Sequence, residues 1–383
     1  MHVEGLAPLV GEVGQPGFVL LEPEQRAGEV EQHGVERLNV HDAKANGCTV
    51  GVRIERGATT IESMSTTRAS KSKVSIVGAG SVGTAVAYAC LIRGSADSLA
   101  LFDPNTDKVR AEVLDLNHGT QFAPACRIDG ADDLAVTAGS DLIVVTAGAK
   151  QKPGQSRLEL AAANVRIVRE LTPALLALSP EAVVLFVSNP VDVVTYAAIR
   201  ATDAPDGQIL GSGTVLDSGR LRFLVAQHVG VAVENVHALI VGEHGDSEIT
   251  LWSSATVGGV PATEYRDEHG AAVFDAAVRE QISTRVMRSA YEIIQGKGAT
   301  NLAIGLSTAR IVEAVLRDQH RVLPVSTLQR GVHGIEGVCL SLPTIVDGRG
   351  AGRVLEIPLS PDEAAGLRAS AQTLREVQRS LGL

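Results

Sequence analysis

A histidine framed by glycines, in Gly242-Glu243-His244-Gly245-Asp246, is the first segment whose residue types suggest chemistry. Its ordinary pKa lies near neutrality, so an imidazole in a loop can serve as a general acid or base, although a lone loop histidine is usually surface decoration. Three other segments give it company. Asp217-Ser218-Gly219-Arg220-Leu221-Arg222 places Asp217 and Arg220 at i, i+3, where the plain reading is a helical ion pair worth about 0.2–0.5 kcal/mol. Arg222 points about 160° away from Arg220 on an ideal helix and must answer to something else. Ser188-Asn189-Pro190-Val191-Asp192 stands at the C-terminal end of an expected strand, the crevice where ligands of open α/β sheets gather. Asn189 could donate there to a substrate oxygen or simply cap the turn before Pro190. Gln151-Lys152-Pro153-Gly154-Gln155-Ser156-Arg157 is a loop entering a helix, with Ser156 and Glu159 at capping-box spacing. Arg157 falls in the first helical turn, where a cation opposes the macrodipole; a role beyond stability and a solvated surface residue both remain open. Gly154 beside Pro153 suits a loop that can move as a lid. No segment has zinc-ligand spacing such as H-E-x-x-H, so no metal is expected.

The elements around these segments alternate. Val74–Val77 is a short β-branched strand, and Gly78-Ala79-Gly80-Ser81-Val82-Gly83 then opens an Ala-rich helix through Cys90 and Leu91. Leu99–Phe102 is the next strand, followed by a helical stretch to Leu114, the buried strand Asp141–Thr146, a helix from about Leu158 to Leu178 and the strand Val183–Val187. Such alternation implies parallel βαβ units, hence a doubly wound α/β sheet. Beyond Leu210 the pattern turns to an α+β mixture: helices over Asp217–Val229, Ala272–Ile294 and Pro361–Leu381, and strands at Val236–Val241, Val322–Leu328 and Val338–Val346. The expected division is 1–70 as an extension, 71–210 as a nucleotide-binding domain and 211–383 as a catalytic domain. A strand before and a helix after the G-x-G-x-x-G lift that motif above its weak prior, as does Asp103, 20 residues after Gly83. Gly78 permits a tight turn, Gly80 a close approach of backbone to pyrophosphate, and Gly83 close helix–sheet packing. A carboxylate at Asp103 binds ribose hydroxyls and repels a 2′-phosphate, so NAD is favoured over NADP. A packing turn with Asp103 as a solvated cap is the weaker alternative.

The whole chain has 383 residues, 45% hydrophobic and 20% charged, which excludes global disorder and fits two domains. A net charge of −10 argues against nucleic-acid or anionic-membrane binding. No apolar run is long enough to span a bilayer, and the N-terminus lacks a secretory signal. Cys48, Cys90, Cys126 and Cys339 form no C-x-x-C pair and read as reduced packing residues of a cytoplasmic protein. Residues 1–63 hold ten acidic and five basic residues, half the net charge in a sixth of the length. A start at Met64 is favoured over a disordered acidic extension; peptides from residues 1–63 in the native protein would sink that reading.

Together these motifs resemble the L-lactate dehydrogenase branch of the lactate/malate dehydrogenase superfamily, from Lys73 to the C-terminus. Ser188–Asp192, Gly211–Asp217 and Gly242–Asp246 carry the resemblance in the expected order. It implies a Rossmann-type doubly wound parallel sheet followed by an α+β catalytic domain, and reversible hydride transfer between NADH and pyruvate giving L-lactate. By the same resemblance, His244 is the proton donor and acceptor, and Asp217 rather than the nearer Asp246 holds its imidazole. Arg220 grips the substrate carboxylate, Arg157 polarises the carbonyl, Asn189 hydrogen-bonds the same oxygen and Thr300 lines the pocket. Gln151, neutral where malate enzymes place an arginine, implies pyruvate rather than oxaloacetate. Cofactor contacts are implied at Gly78, Gly80, Val82, Gly83, Asp103, Lys108, Gly148, Ala149, Val187, Ser188 and Asn189. Arg222 and His237 match positions that bind fructose 1,6-bisphosphate in allosteric bacterial relatives, although a satisfied core histidine is a serious alternative for His237. A homotetramer is the implied assembly.

Overall fold

The computed structural model describes residues 71–149 and 156–383, with Arg157 described in its backbone alone. The expected extension over 1–70 and the lid-like loop with Gln151 lie outside the described residues. Of the cysteines, Cys90, Cys126 and Cys339 are free thiols, and Cys48 lies outside the described residues.

The first half is built of β1 (Lys73–Val77), α1 (Ser81–Arg93), β2 (Ser98–Phe102), α2 (Thr106–Gly119), β3 (Arg127–Ala131), β4 (Leu142–Val145), α3 (Arg157–Leu178), β5 (Val183–Phe186), α4 (Val191–Arg200) and β6 (Ile209–Gly211). Its central strands β4 and β5 are continuous apolar runs, wholly buried because helices cover both faces, whereas the edge strand β3 carries exposed Arg127 and Asp129. All six pair in parallel, in the order β3-β2-β1-β4-β5-β6. The order reverses between β1 and β4. The loops leaving these two strands therefore diverge at their C-terminal ends and open the crevice where doubly wound sheets bind ligands. The capping box on α3 is formed: Glu159 N–H donates to the Ser156 hydroxyl at 3.2 Å, and Ser156 N–H to Glu159 Oε2 at 2.8 Å.

After β6 come α5 (Val215–Val229), the two-residue strands β7 (Val236–His237), β8 (Ile240–Val241), β9 (Ile249–Thr250), β10 (Thr256–Val257) and β11 (Val260–Pro261), then α6 (Ala276–Lys297), α7 (Leu302–Leu316), β12 (Arg321–Arg330), β13 (Glu336–Asp347), β14 (Gly350–Val354) and α8 (Pro361–Ser380). One expected strand, Val236–Val241, is in fact two, because Ala238 and Leu239 leave the ladder so that β7 pairs with β10 and β8 with β9. The expected helix from Ala272 begins at Ala276 instead, behind the Asp275 cap, whose carboxylate accepts from Val278 N–H at 2.8 Å. The strands β12–β14 do not form a sheet of their own. They extend the parallel sheet antiparallel through one residue pair, Ser326 opposite Gly211, giving nine strands in a single sheet. Two helices went unread in the sequence. In α4 a run of β-branched residues follows Pro190, and in α7 an almost continuous apolar stretch runs on from the buried face to exposed Leu302 and Leu306, so neither displays a clean amphipathic stripe. At the crossing of α1 and α7, a Cβ on Gly305 would meet the Ala85 carbonyl at 2.6 Å, so the close approach requires glycine there. The pair is then clamped by buried Glu313, which accepts two 2.7 Å hydrogen bonds from Arg93.

Candidate active site

The glycine loop between β1 and α1 is shaped by contact. Gly78 has φ +104°, and a Cβ on Gly83 would lie 1.9 Å from the Gly78 carbonyl oxygen, so the helix start can close on the strand end only with glycine at 83. Gly80 caps α1 with no side-chain hydrogen bond, leaving the first-turn N–H groups open toward an anion. Val82 is half-buried in that turn. At the end of β2, Asp103 Oδ2 accepts from Ala79 N–H at 2.9 Å, and Lys108 Nζ stands 3.6 Å from the same oxygen. The acid is thereby fixed beside the glycine loop, with a cation at its rim. These residues fit a dinucleotide: a cradle that a Cβ would fill, open N–H donors and a placed carboxylate.

Across the crevice, Gly148 and Ala149 follow β4, and Val187, Ser188 and Asn189 follow β5. Ser188 Oγ donates to the Ala147 carbonyl at 2.6 Å. Buried Asn164 on α3 joins both loops, accepting from Ala149 N–H at 2.7 Å and donating to the Asn189 carbonyl at 2.7 Å. Sequence reasoning missed Asn164. Its signal was a polar residue on the buried stripe Ala161, Asn164, Val165, Val168. The Asn189–Pro190 peptide is cis.

The acid–base cluster forms where three elements converge. The first turns of α5 are stapled to β8: Thr214 Oγ1 donates to the Ile240 carbonyl at 2.5 Å, and Ile240 N–H to Ser218 Oγ at 2.9 Å. The chain leaves β8 through Gly242 at φ +90°, where a Cβ would press on Ile249 at 2.6 Å, and delivers His244 over α5. There His244 Nδ1 lies 2.7 Å from Asp217 Oδ2, while Arg220 donates to Asp217 Oδ1 at 2.7 Å. The Asp217–Arg220 pair is thus no ordinary surface bridge: its side chains are only 3% and 13% exposed. Asp246 is turned elsewhere and accepts from Tyr291 on α6 at 2.7 Å. The His244 backbone N–H donates at 2.8 Å to Asp192 on α4, a buried acid that also accepts from Ser326 at 2.6 Å.

Electrostatics follow from this packing. Burial disfavours the His244 cation, but the Asp217 carboxylate, by charge and hydrogen bond, outweighs it, with help from Asp192 and Glu248, and the imidazole is raised to about 9. Burial alone would raise Asp217, yet His244 and Arg220 hold its carboxyl below the usual range. Burial pushes Asp192 up to about 6 against its two donors. Asp217, His244 and Glu248 present ligating atoms within 4.8 Å of one another. Both Asp217 oxygens are engaged and a guanidinium adjoins, an arrangement that opposes a cation there.

The remaining expected positions are less concentrated. Thr300 is half-buried in the turn between α6 and α7, outside the hydrogen-bonded cluster. Arg157 opens α3. Arg222 donates through Nε to the Ala238 carbonyl at 2.9 Å, and burial lowers its pKa. The buried alternative for His237 does not hold: it is exposed on β7, at the residue before Ala238. Among the described residues no helix is long and apolar enough to cross a membrane.

Two family descriptions match the chain end to end beyond residue 71: lactate/malate dehydrogenase, NAD binding domain, over 72–211, and lactate/malate dehydrogenase, alpha/beta C-terminal domain, over 214–380. An L-lactate dehydrogenase of Bifidobacterium animalis subsp. lactis is 49% identical over 81% of this chain and 97% of its own length. Another, from Synechococcus sp., is 48% identical over 81% and 99%. The crystal structure of the minor L-lactate dehydrogenase of Enterococcus mundtii, 36% identical, superposes with a TM-score of 0.78 over 81% of this chain and 98% of that one. A lactate dehydrogenase from a deep-sea metagenome library gives the same score at 35% identity.

Proposed function

This chain belongs to the lactate/malate dehydrogenase family and binds NAD; from that premise we propose that it interconverts pyruvate and L-lactate, with His244 as general acid and base. The observation that carries the reading is one carboxylate shared by two partners: Asp217 touches both His244 and Arg220 at 2.7 Å. An α-keto acid has its carbonyl next to its carboxylate, so it needs a proton donor and a guanidinium at a fixed separation. Asp217 supplies that separation. NADH, when bound, delivers the hydride to the carbonyl carbon. Asp217 holds His244 through Nδ1, which leaves Nε2 to give its proton to the carbonyl oxygen and to reclaim it in the reverse direction. Asp217 also stabilises the imidazolium that precedes transfer. Arg220 pairs with the substrate carboxylate, for which its planar fork is suited. Arg157 and Asn189 are assigned to the carbonyl oxygen, where donors stabilise developing charge, and Thr300 to the pocket wall.

Substrate choice rests on Gln151: a neutral amide compensates no second carboxylate, so oxaloacetate is disfavoured. Following NADH absorbance with each keto acid at equal concentration tests this. Faster turnover of oxaloacetate would move the chain to the malate branch.

Arg222 and His237 are assigned to fructose 1,6-bisphosphate. Both adjoin Ala238, and no carboxylate pairs with Arg222 among the described residues. Identical pyruvate saturation curves with and without the bisphosphate would reject the assignment. A homotetramer is supported by apolar side chains left in water as i, i+4 pairs, Tyr88 with Ile92 on α1 and Leu302 with Leu306 on α7. Sedimentation velocity reports the mass directly. The free thiols at Cys90 and Cys339, both buried, suit a cytoplasmic setting.

A further inference from the structure

The acid–base cluster contains a carboxyl that the mechanism above does not use. Glu248 stands just before β9, four residues beyond His244, with a ligating oxygen within 4.8 Å of both Asp217 and His244. It is half-buried, and its backbone N–H is spent on the Gly245 carbonyl. The charged groups around it come from every side of the cluster. Asp217 and Arg220 face it from α5, and His244 and Asp246 from its own loop. Tyr291 of α6 reaches the same loop through Asp246, and Asp192 of α4 holds the His244 backbone.

Resting on the reading of pyruvate as substrate, we propose that Glu248 is a proton-coupled gate on substrate charge: at alkaline pH it is ionised in the empty site, and it is protonated whenever a monocarboxylate occupies Arg220. Two negative groups, Asp217 and Glu248, share the neighbourhood of one guanidinium before substrate arrives. The substrate carboxylate brings a third. With Arg157 assigned to the carbonyl oxygen, three anions are left to Arg220 and the His244 cation, an excess of negative charge that favours neutralising one of them. Asp217 is excluded because His244 and Arg220 occupy its two oxygens. The incoming acid is the stronger acid and lacks a hydrogen-bonded alternative. Glu248 is left, and burial together with the nearby Asp217 charge already pushes its carboxyl up to about 8. The proton comes from solvent and returns to solvent when the hydroxy acid leaves. It is therefore not the proton transferred to the carbonyl, and the overall stoichiometry of the reaction is unchanged.

Binding should then take up two protons at alkaline pH, one on Glu248 and one on His244. The probe is oxamate, a monocarboxylate isosteric with pyruvate and inert to hydride, titrated into the full-length protein saturated with NADH between pH 7 and 10. Proton uptake follows from the binding enthalpy in buffers of different ionisation enthalpy, and independently from the slope of log Kd against pH. For the unaltered protein the slope should approach two, a hundredfold loss of affinity per pH unit above both titrations. In Glu248→Gln it should fall to one, tenfold per unit, and Glu248→Asp should restore two. A purely structural role would change melting temperature without changing the proton count. A slope of one in both the unaltered protein and Glu248→Gln overturns the proposal while leaving the pyruvate reading intact. Failure of the unaltered protein to bind oxamate or reduce pyruvate overturns both.

Discussion

Replacing Asp217 by asparagine keeps the shape of the site and removes the charge on which His244 and Arg220 both lean. The raised imidazole gives the scale of the effect. The distance between about 9 and the ordinary 6.5 corresponds to ~3 kcal/mol of preference for the cation. Burial, which opposes that cation, persists in the variant, so the imidazole should titrate at or below its ordinary value. At pH 7.5 only about a tenth of it would then carry the proton needed for carbonyl reduction. An asparagine amide can also donate to Nδ1 and favour the wrong tautomer, a further loss of the kind met when buried triad acids are neutralised. Together these predict a fall in kcat/KM for pyruvate at pH 7.5 on the order of 10³-fold, about 4 kcal/mol of transition-state stabilisation. The sign with pH is fixed: reduction needs the cation, so activity in the unaltered protein is lost as pH rises through about 9. In the variant the loss moves below pH 6.5, and acidification recovers part of the rate. Lactate oxidation, which needs the neutral ring, moves the opposite way. Steady-state rates in both directions between pH 5.5 and 9.5 make the test. An unmoved pH profile, or a loss of less than threefold, would refute the assignment of Asp217 as the partner that sets His244.

Three further outcomes follow from packing and charge. Gly83→Ala drives a methyl toward the Gly78 carbonyl, 1.9 Å from its ideal position, and should cost about 1–3 kcal/mol while weakening NADH binding at least tenfold by fluorescence titration. Asp103→Ser removes the charge fixed beside Ala79 and should raise the NADPH-to-NADH ratio of kcat/KM by about tenfold to a hundredfold; an unchanged ratio would remove Asp103 from ribose selection. Arg93→Met strands buried Glu313 and should cost about 1–2 kcal/mol in urea at pH 7, less than a fully buried pair because Arg93 is 35% exposed. Although burial works against it, Arg93 and Ser95 hold the Glu313 pKa low, so its stabilisation is present above the ordinary glutamate value and lost as pH falls through the lowered one. The variant should show a flatter acid limb.

The sequence carried much of this because local rules wrote it. The glycine spacing at 78, 80 and 83 states a strand-to-helix turn around phosphate, and Asp103 falls at the next strand end because the βα unit has a set length. The choice between Asp217 and Asp246 was different. Both are acids at plausible separations from His244, and what separates them is the stapling of α5 to Ile240 by Thr214 and Ser218, a contact between segments over twenty residues apart. Asp192 sat in full view among Val191, Val193 and Val194, a charged residue in an apolar run. Nothing local says that its partners would be a backbone N–H at 244 and a hydroxyl at 326. The split of β7 from β8 was hidden for a similar reason, since the pairing strands β9 and β10 are two residues each and leave no periodic trace.

The single pairing of Gly211 with Ser326 bears on how such a protein can be recombined. That pair is the whole β6–β12 ladder, seconded by Thr214 N–H on the Pro324 carbonyl and Ala351 N–H on the Gly207 carbonyl, and a Cβ on Gly211 would press on Thr195 at 2.6 Å and on Ser326 at 3.0 Å. Ser326 meanwhile keeps Asp192, and so the His244 backbone, in place. The two halves are therefore not exchangeable parts. A chimera joined at residues 211–214 inherits a working proton donor only if glycine, serine and aspartate at 211, 326 and 192 come from compatible parents, although two of them belong to one half and the third to the other.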